Sequence, residues 1–278
     1  MRFVRFGPRG EEKPGVIDDD GQLRDLSAQV ADLSGEVLAR LTRLDVRAAP
    51  VVADSPRLGV PVAGVGKIVC VGMNYSDHAR ENGMQPPREP ILFLKATTAL
   101  CGPTDPIIRP LGSEMLDWEV ELGAVISRRT RYVDEAQALD HVAGYVAIND
   151  LSDRSYQLER AGQWTKGKSA DSFAPVGPWL VPPRDAGDPQ DLALRLWVNG
   201  VLRQDGSSAR MIFPVARLVS YASQFMTLEP GDILATGTPK GVGMGQRPPV
   251  YLVPGDVVEL EVEGLGRQRQ VVEDEPAA

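Results

Sequence analysis

The stretch Asp117-Trp118-Glu119-Val120-Glu121-Leu122-Gly123 sets two carboxylates in alternation with apolar side chains. Successive side chains of a β-strand point to opposite faces, so Glu119 and Glu121 share one face while Trp118, Val120 and Leu122 share the other. Carboxylates about 7 Å apart on one strand repel unless a cation, a hydrogen-bond network or bulk water absorbs the charge. A hard divalent cation such as Mg2+ takes oxygen ligands and keeps water in part of its shell, which leaves positions where a chelating substrate can bind. The same alternation also describes a half-wetted strand with no site. Glu259, Glu261 and Glu263, alternating with Leu260 and Val262, are such a strand in this same chain.

Other residue sets carry chemistry of their own. His78 and Glu81 lie three apart on a short predicted helix, a spacing that places an imidazole beside a carboxylate and makes a minimal general-base pair; a surface histidine near a solvated glutamate is the plainer alternative. His141 has no such partner pattern and reads as a surface residue. Asp150 stands where a buried strand ends and a polar helix over 152–160 begins, and Arg154 and Gln157 share its face. That set can aim an anion, a cation and an amide at one small volume, or can be a helix cap with an exposed arginine. Thr236-Gly237-Thr238-Pro239-Lys240-Gly241 offers backbone N–H groups and the Thr238 hydroxyl to a carboxylate, though loop geometry alone also accounts for its glycines.

Gly162-Gln163-Trp164-Thr165-Lys166-Gly167-Lys168-Ser169 matches the phosphate-loop pattern G-x-x-x-x-G-K-[ST] letter for letter. Its context does not match. A phosphate loop is fed by a buried strand and opens a helix, whereas this one follows polar residues and precedes Ala174-Pro175 and Gly177-Pro178. Lys168 still has a use beside the carboxylates, offsetting their charge and meeting a substrate oxygen.

Positioning these residues falls to elements read from periodicity. Met1–Phe6 and Gly15–Asp18 are predicted strands around a turn at Lys13-Pro14, and Ser34–Leu44 has helical spacing at Val37, Leu38, Leu41 and Leu44. The Pro/Gly-rich stretch 50–66 reads as a linker, so residues 1–60 form a small N-terminal α/β domain and 67–272 a larger one. Strands are expected at 67–72, 91–95, 118–126, 142–148, 192–198 and 232–235, a helix at 214–226, a hairpin over 257–269 around Gly264, and a frayed tail over 273–278. Residues 80–90, with Gly83 and three prolines, are a candidate lid.

With 28 Gly and 23 Pro among 278 residues, the chain favours many short strands and turns over a helical bundle. A net charge of −8 and the absence of a Lys/Arg cluster exclude nucleic acid as the main partner. No long apolar run or signal-like leader is present, so a soluble, cytoplasmic protein with no membrane partner is expected. Cys70 and Cys101 sit in apolar surroundings without metal-site spacing and read as reduced, buried thiols.

Taken in order, Val71–His78, Asp117–Gly123, Gly144–Arg154, Lys166–Ser169 and Ala235–Val242 resemble the motifs of the fumarylacetoacetate hydrolase family. The resemblance spans residues 67–272 and implies an α+β fold, a mixed β-sheet roll with flanking helices, preceded by the small extra domain of many bacterial members. It also implies an Mg2+ or Mn2+ site, for which Ca2+ could substitute, and a homodimer that cleaves a C–C bond beside a 2-oxo acid. By motif position Glu119, Glu121 and Asp150 would be the metal ligands and His78 with Glu81 the base dyad. Arg154, Gln157, Lys168 and Thr238 would bind substrate, with Lys168 also stabilising an enolate. Mammalian-type members carry one more acidic ligand just before the histidine. Here that region reads Met73-Asn74-Tyr75, which points away from fumarylacetoacetate and toward acylpyruvate-type relatives. The stretch Gly167–Pro175 and Gly243-Met244-Gly245-Gln246 look most like members acting on 2,4-dioxo-3-deoxy sugar acids. The same chelation would also serve an oxaloacetate decarboxylase or tautomerase, and the fold alone would serve a silent binding scaffold.

Overall fold

In the computed structural model, which describes residues 1 to 276 apart from Asn82 and Met84, the chain is a mixed α/β protein built on several sheets. Strands β1 (Arg2–Phe6), β2 (Lys13–Ile17) and β3 (Leu23–Asp25) form an antiparallel sheet in that order. The chain reverses at Gly7–Gly10, whose two glycines have positive φ, so the turn expected at Lys13-Pro14 lies earlier and both residues already pair in β2. Gly35–Arg43 is a 3-10 segment broken at Arg40 (φ −130°), not one α-helix, yet it buries Leu38 and Leu41 as the spacing requires. Phe3, Val16, Leu26 and Leu38 join the same buried apolar cluster as the strands that follow.

Those strands and helices are β4 (Ile68–Gly72), α1 (Ser76–Glu81), β5 (Ile91–Lys95), β6 (Ile107–Arg109), β7 (Val120–Ile126) and β8 (Val142–Asn149). They continue as α2 (Thr165–Lys168), β9 (Ala193–Val198), β10 (Val201–Ser207), α3 (Val215–Phe225), β11 (Ile233–Ala235), β12 (Val257–Val262) and β13 (Gly266–Asp274). One five-stranded sheet runs β8-β7-β11-β4-β5, with β11 parallel to β4 and the other pairs antiparallel. The second runs β10-β9-β12-β13-β6, with β13 parallel to β6. Asn199 and Gly200 both take positive φ and close the β9-β10 hairpin.

Burial separates the two alternating glutamate runs. Every residue of β7 is buried, whereas in β12 only Val258, Leu260 and Val262 are, and Glu259 pairs at the surface with Arg267. The first run therefore cannot discharge its carboxylates into water, and the second can. The tail is shorter than expected, because Glu273 and Asp274 pair with Ile108 and Arg109; Ala277 and Ala278 lie outside the described residues. His141 is half-buried and within 2.8 Å of Thr130 Oγ1, so it has a partner after all. Within the stretch 80–90, Asn82 and Met84 fall outside the described residues; Glu89 there accepts a hydrogen bond from the Tyr221 hydroxyl at 2.8 Å. Cys70 and Cys101 are free and buried, and burial pushes both thiols up. No helix among the described residues is long and apolar enough to cross a membrane.

The stretch 50–66 packs along the N-terminal sheet, Val51 bridging to Arg24 and Leu58 to Phe6. Arg57 is its anchor. The guanidinium donates to Asp105 through Nε (2.7 Å) and Nη2 (2.6 Å), and to Glu12 through Nη1 (2.9 Å). Burial alone would raise both carboxyls, but the Arg57 hydrogen bonds and charge, backbone N–H groups, and the nearby charge of Arg5 at Glu12 or Arg9 at Asp105 together outweigh it and hold both below the usual carboxylate range. A lowered native value means stability that is present above about pH 4 and lost as the pH falls through the native values. Arg57→Gln is expected to cost roughly 1.5–3 kcal/mol at neutral pH and to shrink the loss of stability on acidification. Urea melts at several pH values check this, and parallel acid limbs in both proteins would refute the linkage.

Candidate active site

Lys168 is the centre of a buried ionic cluster. Its ammonium lies 2.9 Å from Glu119 Oε2 and 2.9 Å from Asp150 Oδ2, and the other oxygen of Asp150 receives Lys95 at 2.5 Å. Arg154 completes the set, with Nη2 at 2.7 Å from Glu119 Oε1 and Nε at 2.8 Å from Asp117 Oδ2. Glu119 does not belong to β7 proper, which starts at Val120; its N–H is held by Asn149 Oδ1 and its carbonyl accepts from Asp150 N, so the ends of β7 and β8 are sewn together here.

The phosphate-loop letters have a different physical role. Gly162 turns the chain at φ +64°, and a Cβ on Gly167 would fall 2.5 Å from Asp153 O and Gln157 N, so only glycine lets α2 lie this close to the preceding segment. That contact brings Lys168 onto the carboxylates. The preceding segment also departs from the expected helix: Ser152 and Asp153 pair with Leu116 and Asp117, and one π-helical turn, Ser155–Glu159, follows. Asp153 Oδ1 accepts from Tyr156 N (2.9 Å) and from the Ser155 hydroxyl (2.8 Å), which starts the turn late. Arg154 and Gln157 still meet, Nη1 to Oε1, at 3.0 Å.

Glu119, Glu121 and Asp150 each offer one oxygen, all within 4.8 Å of one another. Burial would raise Glu119, but the Lys168 ammonium and Arg154 guanidinium hold it down at about 2. Glu121 goes the other way: burial and the Asp150 and Glu119 charges push it well up. It accepts from Gly237 N at 2.8 Å and enters no ion pair among the described residues. Three hard oxygen donors, one of them without a balancing cation, fit a divalent metal such as Mg2+ or Mn2+. Lys168 itself stays protonated; burial would lower it, and Asp150 and Glu119 raise it further.

His78 Nδ1 lies 3.3 Å from Glu81 Oε2, and both oxygens of Glu81 accept from Gly241 N at 3.0 and 3.1 Å. With Nδ1–H turned to Glu81, the ring's lone pair is on Nε2, the arrangement of an oriented base. Thr238 donates to Val120 O (2.9 Å) and accepts from Gln204 Nε2 (2.8 Å), so its hydroxyl pins the 236–241 loop to β7. His78, Glu119, Glu121, Arg154, Gln157, Lys168 and Thr238 all line one cavity of about 250 Å³; Asp150 lies behind them, and Glu81 reaches it through His78.

Three contributors have no role in the sequence reading. Asp117 is fully buried; besides Arg154 it takes the N–H groups of Gly243 (2.6 Å) and Met244 (3.0 Å), coupling Arg154 to the loop over Glu81. Its i, i+2, i+4 spacing with Glu119 and Glu121 was the available signal. Lys95 was marked only by a charge closing an apolar strand, and Gln204, on β10, by nothing local.

The description "Fumarylacetoacetate (FAA) hydrolase C-terminal" matches residues 67–273. The chain belongs to the fumarylacetoacetate hydrolase family. Among its relatives in this family, the 2,4-didehydro-3-deoxy-L-rhamnonate hydrolase of Sphingomonas sp. (strain SKA58) is 54% identical over 99% of this chain and 96% of its own. The solved fumarylacetoacetate hydrolase of Exiguobacterium antarcticum superposes with a TM-score of 0.89 at 40% identity, covering 99% of this chain and all of its own. The maleylpyruvate hydrolase of Sphingobium sp. SYK-6, solved with manganese(II) and pyruvate, superposes at 0.80 with 29% identity, covering 99% and 100%.

The triad's charge imbalance makes a two-sided prediction. Without metal, Glu121→Gln is expected to melt higher than wild type, because it removes a carboxylate crowded by two others. With Mn2+ at about 100 times Kd the wild type gains roughly 2.7 kcal/mol and the variant gains far less. Equal Mn2+ shifts in both proteins would remove the triad as the binding site.

Proposed function

We propose that this protein hydrolyses the C3–C4 bond of a 2,4-dioxo acid, releasing pyruvate and a carboxylic acid, with Mg2+ or Mn2+ held by Glu119, Glu121 and Asp150. The observation that carries the reading is the convergence, in one cavity, of an oriented histidine, two of the three acidic ligands and two buried cations. The named activity of the Sphingomonas relative and the manganese and pyruvate of the Sphingobium structure support it. The finer reading is a 2,4-dioxo-3-deoxy sugar acid as substrate. The free cysteines suit a reducing cytoplasm, and a homodimer follows from the family resemblance.

When bound, the cation supplies Lewis-acid polarisation of a chelated carboxylate and 2-oxo group. Arg154 and Gln157 hold the substrate carboxylate at the cavity wall. His78, its Nδ1–H directed to Glu81, takes a proton from water through Nε2, and the hydroxide adds to the C4 carbonyl carbon. Collapse of that adduct breaks C3–C4; C4 leaves as the carboxylic acid, and the bonding pair passes into the enolate of pyruvate. Lys168 has three N–H donors, two of them on Glu119 and Asp150, and the third meets the enolate oxygen where charge develops. The imidazolium then returns its proton to C3, giving the methyl group of pyruvate.

Pyruvate release from 2,4-dioxo acids, assayed on chelator-stripped protein with and without Mn2+, is the test. Metal-dependent release of equal amounts of pyruvate and carboxylic acid is expected, and His78→Asn is expected to lower kcat by roughly 10²–10⁴. CO2 from oxaloacetate, with the dioxo acids inert, would replace the reading with a decarboxylase.

A further inference from the structure

The charged residues occupy one side of the cavity, and an aromatic pair extends from them. The Lys168 ammonium sits 5.1 Å from the Phe93 ring centroid, and Phe93 meets Trp164 edge to face at 5.2 Å. Trp164 in turn lies over β4: a Cβ on Gly72 would fall 2.6 Å from its ring, so glycine there makes room for the indole. A chain whose oxo-acid head lies at Lys168 is thus led over Phe93 toward Trp164, with Ile91 and Leu158 beside it.

The cations lining this cavity among the described residues are Arg154 and Lys168, and both are already spent at the head. Lys168 faces Glu119 and Asp150, and Arg154 faces Asp117, Glu119 and Gln157. A second carboxylate on the substrate would be desolvated against two aromatic faces with no counter-ion. Alkyl or sugar C–H groups have no such penalty there. We propose that Trp164, with Phe93, is the specificity-determining wall for the C4 substituent, and that it selects 2,4-dioxo acids with an uncharged tail over dicarboxylates of the same length. This rests on the 2,4-dioxo acid reading. It also assigns a use to the tryptophan of the false phosphate loop.

The experiment measures kcat/KM with Mn2+ for three substrates: 2,4-dioxopentanoate, which has almost no tail, 2,4-dioxooctanoate, and 2,4-dioxooctanedioate, which adds a terminal carboxylate. Wild type is expected to prefer 2,4-dioxooctanoate over the dicarboxylate by at least about tenfold. In Trp164→Ala the ratio of 2,4-dioxooctanoate to 2,4-dioxopentanoate should fall roughly tenfold, and Trp164→Phe should restore most of it. Trp164→Arg should raise the dicarboxylate relative to both others. Pyruvate from 2,4-dioxopentanoate together with equal use of the two long substrates would overturn the specificity proposal alone, as would a Trp164→Ala loss identical for long and short tails. No pyruvate from any of the three would overturn the dioxo acid reading and this proposal with it.

Discussion

Burying like charges is the constraint around which this protein is built. Asp117, Glu119, Glu121 and Asp150 are all removed from water, and among the described residues the lysines and arginine paired with them are Lys95, Lys168 and Arg154. Desolvating an ion costs several kcal/mol even after relaxation, about what a good partner returns, so such a cluster holds only if nearly every lone pair and proton is matched. Most are: Asp150 meets a lysine on each oxygen, and Asp117 takes three backbone N–H groups as well as Arg154. Glu121 is the exception. Its carboxylate has a backbone N–H and two repelling neighbours, which makes it the point where a cation has most to gain.

The demand for matching shapes the backbone around the site. β7 and β8 end together so that Glu119 and Asp150 can be locked to each other's main chain. The 236–241 loop is drawn in by Glu121, Thr238 and Glu81, which take or give hydrogen bonds at Gly237, Val120 and Gly241. Helix α2 is pressed against the π turn until only Gly167 fits, and Lys168 is the side chain that results. Side chains prepaired and held in this way keep their geometry without a rearrangement of the protein.

Charge matching also divides the cavity. Because the cations are committed to the carboxylates, the remaining wall among the described residues carries no charge and is built from Phe93, Trp164 and aliphatic neighbours. Charged and apolar lining are therefore separated along a path two rings long.

Sequence alone determined which residue types come together and in what local pattern: the alternating Asp117, Glu119 and Glu121, the i, i+3 pair His78 and Glu81, the strands on either side, and the family motifs that order them. These are short-range facts, set by strand and helix periodicity. Tertiary structure decided the rest. Whether Glu119/Glu121 or Glu259/Glu261 is a site depends on what covers the second face of each strand, and identical alternation gives opposite burial. The missed partners Lys95 and Gln204 lie 55 and 84 residues from the groups they hold, Asp150 and Val120, distances at which no periodicity operates. The turn over 152–160 took π form because a β-bridge and the Asp153 cap claimed its first residues, a competition visible only once Leu116 and Asp117 lie alongside. Local pattern is written in the chain, while charge balance is a property of the buried volume and exists only after folding.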